Sequence, residues 1–267
     1  MQALSRRDFL VGGATAGLVG LAGCTGLSTY TVSRGQTYTV DGGTLVVGTD
    51  NGDVTVRRGY SDKLNVSYSM QTNGPKRELD RLTFDVVTGS ENSVVAEIAG
   101  GFFDLSVDLD IDVPEGVTVQ TVRSGNGDVT VEEVAGDLVA ETENGAVVTR
   151  NVDGHVTLRS ANGDLFASGL GGIVAAETGN GDVDVEIRSL PGDATIRSGN
   201  GDVTVRVGAD LDGTVRAETG NGAVTYRDLS LVTTHDEERL VEGSLNGSDG
   251  PRIDAHTGNG DVELRTA

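Results

Sequence analysis

The chain is poor in the residues that usually fix a fold by special chemistry. It has one cysteine, Cys24, so no disulfide can close within it. Tryptophan is absent, and five tyrosines and five phenylalanines leave little material for an aromatic core. The three histidines, His155, His235 and His256, fall at no metal-ligand spacing and read as surface residues. There are four prolines, and only two lysines, Lys63 and Lys76. Acidic residues number 41 against 20 basic ones, a net charge of −21, which repels nucleic acid phosphates and anionic headgroups. Nucleic acid is therefore excluded as a partner. The apolar run Phe9–Gly23 holds five glycines and is too short to span a bilayer, and no other segment could do so.

That first segment reads as a processing signal. Arg6 and Arg7 in SRRDFL precede the apolar run and resemble a twin-arginine export signal, whose pathway moves folded proteins. The run ends in Leu21-Ala22-Gly23-Cys24, which resembles a lipobox, where the cysteine becomes the first mature residue and carries lipid. Residues 1–23 are thus expected to be removed, 24–29 to form a short tether, and 30–267 the folded domain. One lipid chain anchors only marginally, so a second chain or contact is needed. The mature chain would carry 18 basic and 40 acidic residues, a net charge of −22. Such lysine-poor acidity resembles proteins of salt-loving archaea, where salt screens the self-repulsion.

What the chain has in abundance is glycine, 40 residues, and a repeat. The nonapeptide RSGNGDVTV occurs at Arg123–Val131 and again at Arg197–Val205. Asn-Gly recurs, among other places, with Asn51, Asn126, Asn144, Asn162, Asn180, Asn200, Asn221, Asn246 and Asn259, at steps of 18, 18, 18, 20 and 21 from 126 to 221. The 75 residues from Asn51 to Asn126 approximate four periods, and the 38 from Asn221 to Asn259 two. Each period reads as two short alternating strands separated by the Asn-Gly corner and a second glycine turn at Gly136, Gly154, Gly172, Gly192 or Gly213.

A meander with Asn-Gly hairpins and a β-solenoid both fit this pattern. The position three residues before each Asn separates them. It reads Arg123, Glu141, Arg159, Glu177, Arg197, Glu218, an alternation of sign that is favourable only if consecutive coils are direct neighbours, about 4.8 Å apart. The fold class is therefore all-β, a β-solenoid of about 18–21 residues per coil. Regular repeats fill 117–267, and longer irregular coils fill 30–116, with strands near Leu64–Met70, Thr83–Val87 and Val94–Ile98. Asn73–Leu82 reads as a polar loop or one helical turn. The THDEERLVEG stretch within Ser230–Ser248 reads as an excursion that loops out.

Stacking would put Val129, Val147, Leu165, Val183, Val203, Val224 and Val262 in one apolar rib. Leu138, Val156, Val174, Ala194, Val215 and Ile253 would form a second. Thr142, Ser160, Thr178, Ser198, Thr219 and Thr257 would make a hydroxyl column. The corner residues Asn126, Asn144, Asn162, Asn180, Asn200, Asn221 and Asn259 could share amide hydrogen bonds. Such a narrow core argues against a ligand-sized pocket.

VDLDIDVPEGVTVQTVRSGNGDVTV (Val107–Val131) and the tail EGSLNGSDGPRIDAHTGNGDVELRTA (Glu242–Ala267) resemble the DUF4097 family of β-strand repeat proteins, often labelled candidate adhesins. The resemblance runs from about Tyr30 to Ala267. It implies a right-handed β-helix-like solenoid at the cell surface and carries over no catalytic residue. Repeating Asn-Gly at nearly every corner is a departure from that family.

The corner aspartates Asp128, Asp164, Asp182, Asp202 and Asp261 raise calcium as a ligand. Their spacing differs from the nine-residue calcium repeat, and Ala146 and Ala223 interrupt the series, so turn-forming aspartates are the preferred reading. A polysaccharide lyase or hydrolase would want convergent carboxylates beside aromatic platforms, which this composition does not offer. Phe102-Phe103 reads as core or coil cap. Asn65 and Asn246 lie in N-glycosylation sequons. The expectation is an exported, lipid-anchored, non-enzymatic structural or adhesion module that needs no cofactor. Its faces would meet envelope polymer, a surface protein or another copy through an uncapped end. An envelope sensor signalling through a membrane partner is the alternative.

Overall fold

A computed structural model describes residues 29–99 and 105–267. Arg6, Arg7, Cys24 and the Phe102-Phe103 pair lie outside the described residues.

Alternation of valine with polar residues makes each repeat two strands, one long and one short, facing each other across a thin core. The long strands include Leu138–Asn144, His155–Asn162 and Ala194–Asn200, and belong to a sheet of twelve. The short ones, such as Val129–Glu132, Val147–Arg150 and Leu165–Ser168, belong to a sheet of eleven. Neighbouring repeats pair in parallel and in register, Asn126 with Asn144, Asn144 with Asn162, and Val129 with Val147. The solenoid is observed and the meander is excluded.

Stacking order departs from chain order at both ends. The coil 43–58 lies between 91–113 and 117–132, so Asn51 pairs directly with Asn126 rather than standing four coils away. The coil 252–266 inserts between 194–207 and 213–227, so Asn259 sits between Asn200 and Asn221. The intervals of 75 and 38 residues that resemble whole periods are excursions, not missing coils.

These excursions supply antiparallel caps. Leu64–Thr72 pairs antiparallel with Leu105–Val113, and Tyr30–Tyr38 pairs with it in turn. Leu82–Val87 folds back on Glu91–Ile98. Part of the 30–116 region is thus antiparallel edging rather than irregular coil. Lys76–Arg81 is one short 3-10 helix, within the polar loop or helical turn expected there. The Ser230–Ser248 excursion does not loop out. It forms the hairpin Leu231–Glu237 and Leu240–Leu245, antiparallel on Gly213–Asn221, because its apolar residues Val241 and Leu245 find cover on the core. Its tip carbonyls at Glu238 and Arg239 accept from the Val224 and Thr219 amides. These caps blunt strand-to-strand growth at the 30–116 end of both sheets and at the hairpin end of the long-strand sheet, whereas the short-strand sheet ends on Val224–Arg227, which pairs on one side only.

The first apolar rib is as expected, with Val129, Val147, Leu165, Val183, Val203 and Val262 at most 1% exposed and Val224 8%. The second differs at one residue. Val174 is 49% exposed, and Ile173 takes its place opposite Val156. A β-bulge puts the extra residue of Gly172–Asn180 outside the register, and the side chain that follows the pleat is Ile173. Thr149 is a hydroxyl in the short-sheet rib with Val131 and Ala167, 0% exposed and without a hydrogen-bond partner. Thr149→Val should remove that desolvation cost and stabilise the fold by about 1–3 kcal/mol, raising the unfolding midpoint measured by circular dichroism.

Candidate functional site

The Asn-Gly corner is built from contact between successive backbones. At Gly127, Gly145, Gly181 and Gly201 φ lies between 143° and 146°, a region that suits glycine. A β-carbon on Gly127 would fall 2.2 Å from the carbonyl oxygen of Gly52, and one on Gly201 2.2 Å from that of Gly181. The Gly127 amide donates to the Asn144 carbonyl at 2.8 Å, and the Gly145 amide to that of Asn162 at 2.9 Å.

Side chains then repeat the same offset. Each asparagine amide donates to the next Oδ1: Asn144 to Asn126, Asn162 to Asn144, Asn180 to Asn162, Asn200 to Asn180, Asn259 to Asn200 and Asn221 to Asn259. These distances span 2.7–3.0 Å, so the expected corner residues form one continuous ladder. Below it, the Asn51 amide donates to the Leu105 carbonyl at 2.7 Å. The hydroxyl column is buried, and each member donates to a corner glycine carbonyl, as Thr142 to Gly127 and Ser160 to Gly145. Ser124, outside the expected column, joins it by donating to Gly52.

The corner aspartates use Oδ1 to accept the backbone amide of the neighbouring coil. Asp128 accepts from Ala146, Asp164 from Asp182, Asp182 from Asp202, Asp202 from Asp261 and Asp261 from Ala223, at 2.8–2.9 Å. Each is a turn former. Ala223 belongs to the last coil of the stack, where no further coil presents an amide. Among the described residues, no group of three His, Cys, Asp or Glu is arranged to hold a metal.

Beside the Asn ladder runs the charged column. Arg123 meets Glu141 at 3.1 Å, and Arg159 meets Glu141 at 3.1 Å and Glu177 at 3.4 Å. The Glu141 hydrogen bond, followed by that of Glu177, raises the Arg159 pKa. The expected six-residue alternation breaks at its end, since His256 stands between Arg197 and Glu218. Arg197 instead lies 3.7 Å from Asp254, and Glu218 pairs with Arg216 at 2.6 Å, which lowers the Glu218 pKa. His155 holds Asp137: its backbone amide, then its ring, lower the Asp137 pKa. His235 lies 3.7 Å from Glu237, at the hairpin tip.

Between the two ladders lies a trench. Its floor is small at Gly125, Ala161 and Gly179 and carries the exposed Glu143, and the charged column is interrupted by Gly48, where a β-carbon would meet nothing within 4 Å. The resulting depression, about 850 Å³, reaches from Gly48 to Glu177 on the outer face of the long-strand sheet. It is larger than the narrow core suggested because it lies outside that core. One wall offers guanidinium donors alternating with carboxylate acceptors, and the amides of the asparagines stand at the adjoining corner. This is an array of hydrogen-bonding groups for a polar chain laid along the stack.

The two sequons fare differently. Asn65 is half-buried on the outward side of its strand, with a long contact of 3.5 Å to Ser61. Asn246, at φ 52°, donates its amide to the carbonyls of Ala209 and Leu211, both at 3.1 Å. A glycan at Asn246 requires those bonds to open. Sequence reading also missed a column six residues after each Asn, on the short-strand sheet: Arg57, Glu132, Arg150, Ser168, Glu186, Arg206, Arg265, Arg227. Its constant offset was the available signal.

The family model described as Toastrack DUF4097 matches residues 106–265, more than half of the chain. Among solved structures, a candidate adhesin from Bacteroides fragilis aligns over 90% of this chain and 98% of its own, with 12% identity and a TM-score of 0.43. A candidate cell adhesion protein from Clostridium sporogenes aligns over 89% and 100%, with 12% identity and a TM-score of 0.36. A candidate lipid binding protein from Parabacteroides distasonis aligns over 86% and 96%, with 10% identity and a TM-score of 0.40. No curated protein matches the chain.

Two measurements test the ladders. Asn162→Ala removes two amide bonds and Asn221→Ala one, so Asn162→Ala should cost more, about 1–3 kcal/mol against about 0.5–1.5, read by denaturant unfolding. Equal losses would show that the ladder does not act as a chain. The second concerns acid. Glu218 and Asp137 titrate lower in the folded state, so their stabilisation is present above the unfolded carboxylate pKa and fades as pH falls through the folded one. Arg216→Gln should therefore flatten the acid limb of the stability curve while changing little of its shape above neutral pH.

Proposed function

Because the chain belongs to the Toastrack DUF4097 family, we propose that it is a non-enzymatic structural or adhesion module displayed on the outside of the cell. Arg6 and Arg7 direct its export and Cys24 carries its lipid anchor. The single observation that carries this reading is the side-chain ladder. Amide, hydroxyl and carboxylate groups are committed to joining one coil to the next, as in the run of asparagine bonds from Asn126 to Asn221. Groups tied in this way stiffen the stack and are not free to serve as nucleophile or general base. What remains for contact is the outer face, with its trench of alternating charge. A partner there is held by many weak polar contacts spread along a rigid surface, which suits an envelope polymer or a surface protein.

The anchor is tested by fractionating cells that express the Cys24→Ser form. The protein should leave the membrane pellet and appear in the medium, while replacing Arg6 and Arg7 with lysine should retain an unprocessed chain inside. A Cys24→Ser protein that still sediments with membranes would rule out Cys24 as the anchor. Cells carrying the released form should also attach to surfaces less well than the wild type, and unchanged attachment would count against the adhesive role.

A further inference from the structure

On the short-strand sheet the column of charges begins with alternation. Arg57 is followed by Glu132, and Arg150 lies 2.7 Å from Glu132. The other end of the column is different. Arg206, Arg265 and Arg227 occupy three successive strands, with Arg265 paired in register with both of the others. Like charges directly opposite each other on a sheet oppose folding. In chain order the three are spread over 60 residues, and only the insertion of coil 252–266 between its neighbours brings them together.

The carboxylates nearby do not satisfy all three. Asp184 Oδ1 lies 2.9 Å from Arg206 Nη2, but without the alignment of a hydrogen bond. Glu263 pairs with Arg227, and Glu186, the preceding residue of the column, pairs with Arg188. Among the described residues, Arg265 has no ion-pair partner. The Nε groups of Arg206 and Arg265 are both buried and both lack an acceptor. Arg206 also lies over the Phe166 ring, 5.4 Å from its centroid, so the charge left for a partner is carried mainly by Arg265, half-buried and without an ion pair, and by the exposed Arg227 beside it.

We propose that Arg206, Arg265 and Arg227 form an oxyanion-binding strip that takes the sulfate or phosphate ester groups of an anionic polysaccharide. Guanidinium groups present donors in a planar fork suited to such oxygens, and strands about 4.8 Å apart place the three within reach of one or two ester groups. A ligand seated there supplies the negative charge that the column lacks. A nucleic acid fits less well, since it requires a longer basic track and the net charge of this chain is −21. The strip deepens the surface-module reading by naming what one face holds, and it rests on that reading for the source of the polymer. Binding by purified protein is independent of the Cys24 anchor, so the two can fail separately.

The test uses the full-length chain in about 0.5 M salt, where repulsion from the remaining acidic surface is screened. Dextran sulfate, phosphorylated dextran, neutral dextran and a single-stranded DNA of matched charge are titrated by calorimetry. The expected result is binding of the sulfated or phosphorylated dextran, the tighter of the two identifying the ester, and none of neutral dextran. Arg265→Gln should weaken that binding at least about tenfold, with an unfolding midpoint equal to or above that of the wild type. Arg58→Gln, which removes the same charge from Val54–Arg58, six strands from that of Arg265 in the same sheet, should stay within about twofold. Failure of both esters to bind would overturn the proposal. So would an Arg265→Gln protein that binds as the wild type does, which leaves water as the acceptor. DNA binding as tightly as either dextran would overturn the polysaccharide assignment.

Discussion

Close contact between the backbones of successive Asn-Gly corners is the constraint on which the stack depends. Glycine carbonyls approach the next glycine so nearly that a side-chain carbon at Gly127 would overlap the oxygen of Gly52. That approach fixes the rise from coil to coil. It also sets the distance at which asparagine amides, hydroxyls and aspartate carboxylates find the coil beside them. A single backbone requirement therefore aligns three kinds of side-chain ladder, and the valine ribs fall into register behind them.

The two ends obey a second constraint. A parallel stack leaves unpaired strand edges, and here the chain covers three of the four with antiparallel strands taken from its own excursions, leaving Val224–Arg227 as the edge of the short-strand sheet. Doing so requires the chain to reach past a vacant position and later fill it. The same manoeuvre decides the charge columns, because the filling coil brings its own side chains between residues that are neighbours in sequence. It puts His256 between Arg197 and Glu218 on one sheet, and Arg265 between Arg206 and Arg227 on the other.

Much of this was legible beforehand. The recurring Asn-Gly, the valine at a constant offset and the hydroxyl two residues before each Asn revealed a solenoid, its corner ladder and most of its core. Those features are local, and every coil repeats them. The order of the coils is not local. Any coil could sit beside any other at the same offset, so nothing in the repeat distinguishes an inserted coil from an appended one. Val174 was misplaced because a bulge shifts the pleat by one residue, and an apolar Ile173-Val174 pair gives no hint of which member turns inward. The hairpin at 231–245 was hidden by the polar run THDEER, which occupies its exposed strand and turn. The trench escaped notice because it arises from the missing side chain at Gly48, which stands beside Arg123 only after the stacking order is known.

Inserting coil 252–266 below coil 213–227 also makes the structure sensitive to its own completion. In an ordinary repeat array, losing the final segment removes the top layer and leaves a shorter, still continuous pile. Here the last regular segment is an interior course. Without 252–266, coil 194–207 beneath and coil 213–227 above have a gap between them, and the strand edges that would pair across it stay open. A chain lacking this segment would therefore lose an internal layer and leave coil 213–227, with its capping hairpin, unpaired to the stack, exposing strand edges and apolar surface that quality control can recognise.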